Sequence, residues 1–156
     1  MESRRVGTLR ALYRYPVKSM KEEALTTVEA GWHGLAGDRR WAFVRPGMER
    51  SGFPWLTIRE KAELWRYEAR FENAEVESAK TWVKTPEGEK FEIADPELAR
   101  RLGDGVRVTK VYSGVFDTFP LSFLTVQSVE TLAGMTGQAL TPLRFRPSRG
   151  VISPRG

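Results

Sequence analysis

The chain has 156 residues, of which 40% are hydrophobic and 29% are charged, so it is sized for one compact domain with its own core. It contains no cysteine, which excludes a disulfide scaffold, a thiolate metal site and a cysteine nucleophile. A single histidine, His33, excludes a His–His metal site and argues against a Ser–His hydrolase. No apolar run approaches the ~20 residues of a membrane span, and no signal-peptide pattern opens the chain. We therefore expect a cytoplasmic protein without a membrane partner.

The charges are unevenly distributed along the chain. Residues 1–70 carry a net charge of +5, residues 71–130 of −4 and residues 131–156 of +4. If the two basic ends meet in the fold, they form one electropositive surface that suits an anionic partner. The competing interpretation is an arginine-rich composition of the kind found in thermophilic proteins, with no ligand behind it.

Short strands dominate the predicted elements. Runs of β-branched, aromatic and alternating apolar residues predict strands at residues 6–15, 24–32, 41–45, 65–71, 81–85, 89–94 and 106–112. The stretch 147–156 lacks the apolar alternation of a core strand. Many short strands separated by turns are typical of a small β-barrel or sandwich.

Two short helices complete the prediction. Asp95 is a suitable N-cap, Pro96 suits the first helical position, and Gly103 ends this first helix. A second helix is predicted over residues 129–135, with Ser128 as its N-cap. The fold class we expect is therefore mainly β (α+β), a β-barrel with short helices.

The first candidate binding motif is Lys18-Ser19, which follows Tyr-Pro-Val at the end of the first strand. Pro16 ends strand pairing, so both side chains are expected to project from a loop at the rim. An ammonium beside a hydroxyl is a common pair for holding a phosphate. A solvated lysine next to a turn serine is the plainer alternative.

The second motif, residues 31–41, contains three glycines, each separated from the next by two residues, followed by Asp38-Arg39-Arg40. The glycines permit positive φ and close backbone approach. One arginine is expected to point inward and the other outward, and a salt bridge between Asp38 and an arginine is the plainer interpretation. Neither a Walker loop nor a dinucleotide fingerprint fits this spacing.

The third and fourth motifs lie late in the chain. Thr125 and Ser128 stand where a strand runs into the second helix, and a helix start with hydroxyls favours an anion. From these residues alone, ordinary helix capping is the favoured interpretation. Arg146 belongs to Leu-Arg-Phe-Arg-Pro, where basic and aromatic residues alternate.

Together and in this order, these motifs resemble the MOSC family, the molybdenum-cofactor sulfurase C-terminal-like proteins. The resemblance implies an N-terminal MOSC β-barrel-like region over residues 1–112 and a partial MOSC domain over residues 113–156, packed as one unit. It also implies a cofactor site for the phosphate and pterin of the molybdenum cofactor, formed by Lys18, Ser19, Arg39, Thr125, Ser128 and Arg146. Relatives reduce N-hydroxylated compounds or transfer sulfur. In fusion relatives pyridoxal phosphate belongs to a separate domain, and no convincing Schiff-base lysine stands here.

This sequence departs from the family pattern at three places. Met20 follows Lys-Ser where a cysteine is common, Ser148 follows Arg-Phe-Arg-Pro in place of asparagine, and the cysteine-bearing later part is absent. We therefore expect a truncated or frame-altered reading of a longer gene, or a degenerate paralogue, with no catalytic residues and no turnover alone. Without that thiolate the chain has no obvious soft ligand for the metal. The ligand implied by the resemblance is the molybdenum cofactor, and the alternative for this chain is phosphate or sulfate only.

Two other function classes remain open from the residues alone. A sequence pI near 9.7 and 17 aromatic residues would suit a barrel that stacks on single-stranded nucleic acid. The acidic middle of the chain and the strand alternation of the aromatics count against that class. An unpaired sheet edge would instead suit a non-catalytic interaction module or a homo-oligomer.

Overall fold

The computed structural model describes residues 7–73 and 80–147, and the backbone of residues 151–154. Within these residues the chain is mainly strand, which confirms the predicted fold class. The strands are β1 Gly7–Arg14, β2 Glu23–Leu25, β3 Ala30–Gly31, β4 Gly34–Leu35, β5 Trp41–Val44, β6 Glu68–Phe71, β7 Thr81–Lys84, β8 Lys90–Glu92, β9 Arg107–Lys110, β10 Leu124–Thr125 and β11 Val151–Pro154. The α-helices are α1 Pro96–Leu102 and α2 Val126–Thr136, and two short 3₁₀ helices span Ala62–Arg66 and Pro142–Phe145.

These strands form four small sheets. One sheet has the order β10-β11-β1-β2, in which β11 runs antiparallel to β1 and parallel to β10. The strands β6, β7 and β8 form an antiparallel meander, β5 pairs with β9, and β3 pairs with β4 in a hairpin. Across the described ranges the hydrogen-bonded ladders do not close into a barrel, because most strands are only two to four residues long.

One apolar core lies beneath the central strands and α1. Its members share nearly complete burial and come from the turn after β1, from β5, the first 3₁₀ helix, the meander and α1, and from the loops that adjoin these elements: Val17, Met20, Phe43, Leu56, Leu64, Tyr67, Ala69, Val83, Ile93, Leu98, Ala99, Leu102 and Val106. Burial of this many aliphatic and aromatic side chains supplies the main favourable term in folding. A parallel bridge between Val17 and Trp41 fastens the turn after β1 to β5, so the first binding motif rests on this core.

The predicted strand over residues 24–32 is wrong as one element. The structure has β2 and β3 there, because Leu25 pairs with β1 whereas Ala30 pairs with β4 in a different sheet. The predicted strand over residues 65–71 begins only at Glu68. Residues 62–66 form the first 3₁₀ helix, which buries Leu64 in the core and leaves the next residue, Trp65, exposed.

The structure agrees with the predicted start of one helix and differs from the predicted start of the other. The start of α1 is as predicted: the Asp95 side chain accepts a hydrogen bond from the Glu97 amide, and Pro96 is the first helical residue. The start of α2 is not as predicted, since Thr125 is the N-cap and its Oγ1 accepts the Ser128 amide at 3.0 Å. The helix therefore begins three residues earlier than the pattern indicated, because threonine in an extended conformation is also a favoured N-cap residue.

The closing stretch also differs from its prediction. Residues 151–154 form β11, whose backbone pairs with β1 from Gly7 to Ala11. Two β-branched residues, Val151 and Ile152, suffice for a short strand that gains its hydrogen bonds from neighbours on both sides. In the part of the chain that the structure describes, no helix is long and apolar enough to cross a membrane.

Candidate functional site: a cationic cavity

The turn after β1 places Lys18 and Ser19 beside β5. The Lys18 amide donates to the Trp41 carbonyl at 2.8 Å, and Ser19 adopts a left-handed backbone with φ 69°. The plainer alternative, a solvated lysine, is wrong, because only 5% of Lys18 is exposed. Its ammonium instead lies 2.8 Å from Asp117 Oδ1 and 3.4 Å from the Val115 carbonyl, which come from a segment far along the chain.

The Asp38-Arg39 motif docks against the same turn. Asp38 is fully buried: one carboxylate oxygen accepts the Tyr15 amide at 2.7 Å and the other lies 2.7 Å from Arg39 Nη1. The Arg39 amide donates to the Tyr15 carbonyl at 2.6 Å. The salt bridge expected at Asp38 is therefore present, and it positions a guanidinium. Burial raises the pKa of the Asp38 carboxyl, and the charge of Arg39 opposes that shift.

The prediction that one arginine of the pair points inward and the other outward also differs from the structure. Only 5% of Arg40 is exposed, and its guanidinium donates to the carbonyls of His33 and Asp38 at 3.2 and 3.4 Å. The two arginines therefore point in different directions, but both serve inside the fold. Arg40 supports the β3–β4 hairpin, whereas Arg39 belongs to the candidate site.

Arg146 reaches this place from the other end of the chain. It follows the second 3₁₀ helix in a left-handed conformation, φ 48°, and its Nη2 donates to the Met20 carbonyl at 2.6 Å. Burial lowers the pKa of the Arg146 guanidinium, and the positive charge of Arg39 lowers it further. Both effects penalise the cation, so an anion between the two arginines would be favourable.

Four of the six predicted residues line one cavity of about 270 Å³. Its lining consists of Lys18, Ser19, Arg39, Phe53, Thr57, Ile58, Arg59, Asp117, Phe145 and Arg146; we call it the anion cavity. Ser19, Arg39 and Arg146 are the three non-glycine residues with positive φ among those described. Such backbone is uncommon outside glycine and costs free energy, and it tends to collect at functional sites.

Thr125 and Ser128 are not among the described residues that line this cavity. Their hydroxyl oxygens lie 2.7 Å apart, and Thr125 Oγ1 also caps α2. In this structure they therefore stabilise the helix start. Their role in holding a cofactor stays a prediction.

Sequence reasoning missed two residues of the site. Tyr15 is fully buried, and the guanidinium carbons of Arg39 and Arg146 lie 4.7 and 4.3 Å from the centre of its ring. Its hydroxyl is buried without a hydrogen-bond partner among the described residues, and burial raises its pKa well above the usual range. The second missed residue is Asp117, a carboxylate that pairs with Lys18 in the lining of the anion cavity. The position of Tyr15 before Pro16 was a usable signal, whereas nothing near Asp117 in the sequence links it to Lys18.

The departure at Met20 has a structural explanation. Its side chain is completely buried in the apolar core, while its carbonyl accepts the hydrogen bond from Arg146. A flexible thioether fills irregular space in a core well. This position therefore contributes packing and a backbone acceptor to the anion cavity.

The strands, the core and the anion cavity define a small, mainly-β protein with a cavity lined by cationic side chains. A family model described as the MOSC N-terminal beta barrel domain matches residues 6–111. The match covers more than half of the chain, so the chain belongs to the MOSC family, and the resemblance seen in its motifs is confirmed. No curated protein and no solved structure gives a significant match.

Proposed function

We propose that this chain binds the phosphate group of a phosphorylated, molybdopterin-type cofactor in the anion cavity. The observation that carries the proposal is the convergence of Lys18, Arg39 and Arg146 on one recess, from positions far apart in the sequence. The MOSC family is associated with the molybdenum cofactor, which supports the same ligand class.

Each lining group has a definite role in this proposal. The Arg39 and Arg146 guanidiniums donate forked hydrogen bonds to phosphate oxygens, and the buried Lys18 ammonium adds a point charge. The Ser19 hydroxyl, held by its left-handed backbone, donates a further hydrogen bond. Asp38 orients Arg39, and the Met20 carbonyl orients Arg146, so the donors are placed before the ligand arrives.

The residues present fit the phosphate end of such a cofactor better than its metal end. The cavity offers cations and a hydroxyl, whereas the sequence contains no cysteine to supply a soft thiolate ligand to molybdenum. When bound in relatives, the cofactor supplies the redox chemistry that reduces N-hydroxylated compounds. For this chain we propose binding of the phosphate group and no turnover alone.

Replacement of Arg39 tests the proposal. Arg39→Ala should weaken the binding of inorganic phosphate, measured by titration calorimetry, by about 1.5–3 kcal/mol, the range for a hydrogen bond to a charged group. Arg50→Ala is the matched control, because Arg50 is exposed and does not line the anion cavity. This variant loses the same charge at a different place, and it should bind phosphate as the unmodified protein does.

The opposite result would be equally informative. If Arg39→Ala binds phosphate as the unmodified protein does, the anion cavity is not the phosphate site and the proposal fails. If the protein binds long single-stranded oligonucleotides more tightly than phosphate, and Arg39→Ala leaves that binding unchanged, the nucleic-acid alternative replaces it.

A further inference from the structure

Asp117 is the one carboxylate among the described residues that line the anion cavity. Its Oδ1 lies 2.8 Å from Lys18 Nζ, and 75% of its side chain is exposed whereas only 5% of the lysine side chain is. The carboxylate therefore stands at the mouth of the cavity and the ammonium lies inside. A ligand that contacts the Lys18 ammonium in the cavity therefore lies close to Asp117.

This carboxylate is ionised at neutral pH. The hydrogen bond from Lys18 lowers the pKa of Asp117, and the charges of Arg39 and Arg59 lower it further. An ionised carboxylate accepts hydrogen bonds and donates none. An oxyanion that binds next to Asp117 must therefore bring its own hydrogen-bond donor or lie against a second negative charge.

The geometry around the Lys18 ammonium brings the two anions together. Two acceptors that share one tetrahedral ammonium at hydrogen-bond distance lie roughly 4–5 Å apart. At that separation the outer oxygen of a bound oxyanion reaches the Asp117 carboxylate. An O–H on the ligand would then form a short, charge-assisted hydrogen bond, whereas an oxygen without a proton would be repelled.

We propose, on the basis of the function proposed above, that Asp117 is a specificity-determining residue that selects oxyanions retaining a proton. Hydrogenphosphate and the monoanion of a phosphomonoester belong to this class. Sulfate has the same tetrahedral shape but carries no proton near neutral pH, and the cavity should discriminate against it. Asp117 thus distinguishes two anions that Lys18, Arg39 and Arg146 would bind alike.

The experiment compares inorganic phosphate with sulfate on the full chain. Titration calorimetry at pH 7 and constant ionic strength should give a phosphate affinity at least tenfold above the sulfate affinity, as one charge-assisted hydrogen bond provides. Asp117→Asn should reduce this ratio to about one or two, chiefly by strengthening sulfate binding, because the amide donates to sulfate. Asp104→Asn removes the same charge at an exposed position outside the anion cavity, and it should keep the original ratio.

Two results would overturn this inference. Equal binding of both anions by the unmodified protein would show that Asp117 does not select, and an undiminished preference in Asp117→Asn would place the selection elsewhere. Near-UV circular dichroism of Asp117→Asn checks that its fold is retained. Failure of the proposed function is distinguishable: in that case neither anion binds, or Arg39→Ala binds phosphate unchanged.

Discussion

Tyr15 is a single aromatic residue that positions several groups of the anion cavity. Its amide donates to Asp38, its carbonyl accepts from the Arg39 amide, and its ring contacts the guanidiniums of both Arg39 and Arg146. A guanidinium over an aromatic face is attracted by the ring quadrupole, and the attraction grows when water is excluded. Tyr15 therefore helps to hold two like charges next to one another.

The ring and the hydroxyl of Tyr15 can be separated by substitution. Tyr15→Phe removes a buried hydroxyl without a partner among the described residues, so stability and phosphate affinity should change by less than about 1 kcal/mol. Tyr15→Leu removes the ring, and it should lower the free energy of unfolding by about 2 kcal/mol and weaken phosphate binding by about tenfold. Urea denaturation and calorimetry measure the two effects. An equal loss of phosphate affinity in Tyr15→Phe and Tyr15→Leu would mean that the hydroxyl contacts the anion.

At the scale of elements, the loop between β4 and β5 depends on one glycine. Gly37 has φ 76°, and a Cβ atom there would lie 2.7 Å from the Phe71 ring of β6. The same ring contacts the guanidinium of Arg14, whose side chain forms a buried ion pair with Glu23. The close approach thus joins the loop that carries Asp38 and Arg39 to two neighbouring sheets.

Alanine at two glycines separates backbone strain from collision. Gly37→Ala should lower the free energy of unfolding by about 3 kcal/mol, because it adds a collision with Phe71 to the strain of positive φ. Gly47→Ala should cost about 1 kcal/mol, since Gly47 has a similar φ of 73° but nothing within 4 Å of the added atom. Urea denaturation measures both, and equal losses would contradict the role assigned to the Phe71 contact.

The elements that the sequence predicts well are those specified by neighbouring residues. The helix α1 has its cap, its proline and its ending glycine within nine residues, so local chemistry defines it. The prediction of one strand over residues 24–32 was wrong because its two halves pair with strands of different sheets. Such pairing depends on residues that are distant in the sequence. The site divides in the same way. Lys18, Ser19, Arg39 and Arg146 were predicted from motifs, whereas Asp117 depends on a pairing across 99 positions.

At the scale of the molecule, the two basic ends of the chain meet as the charge distribution suggested. Arg146 hydrogen-bonds to Met20 across 126 positions, and β11 pairs with β1 in the same sheet. The meeting of these ends supplies the charge of the anion cavity. A ligand held there would bind the folded chain and not the unfolded one, so it must raise the stability of the whole.

This linkage gives a prediction for thermal unfolding. Phosphate at 100 times its dissociation constant should raise the free energy of unfolding by about 2.7 kcal/mol, or the melting temperature by roughly 5–10 °C. Arg146→Ala should lose most of that shift at the same phosphate concentration. Arg144→Ala should keep it, because Arg144 lies in the 3₁₀ helix that Arg146 follows but does not line the anion cavity. Scanning calorimetry measures the shift, and an equal shift in all three proteins would show that Arg146 does not hold the anion.

The contact between Arg146 and the Met20 carbonyl also sets an order of events during synthesis. A ribosome delivers the chain from its N-terminus at roughly 5–20 residues per second, so the turn that contains Lys18 and Ser19 emerges many seconds before Arg146. Until Arg146 emerges, only the Arg39 guanidinium can contact the ring of Tyr15. The nascent protein therefore passes through a stage in which most of its core residues are available but its recess for an anion is unfinished.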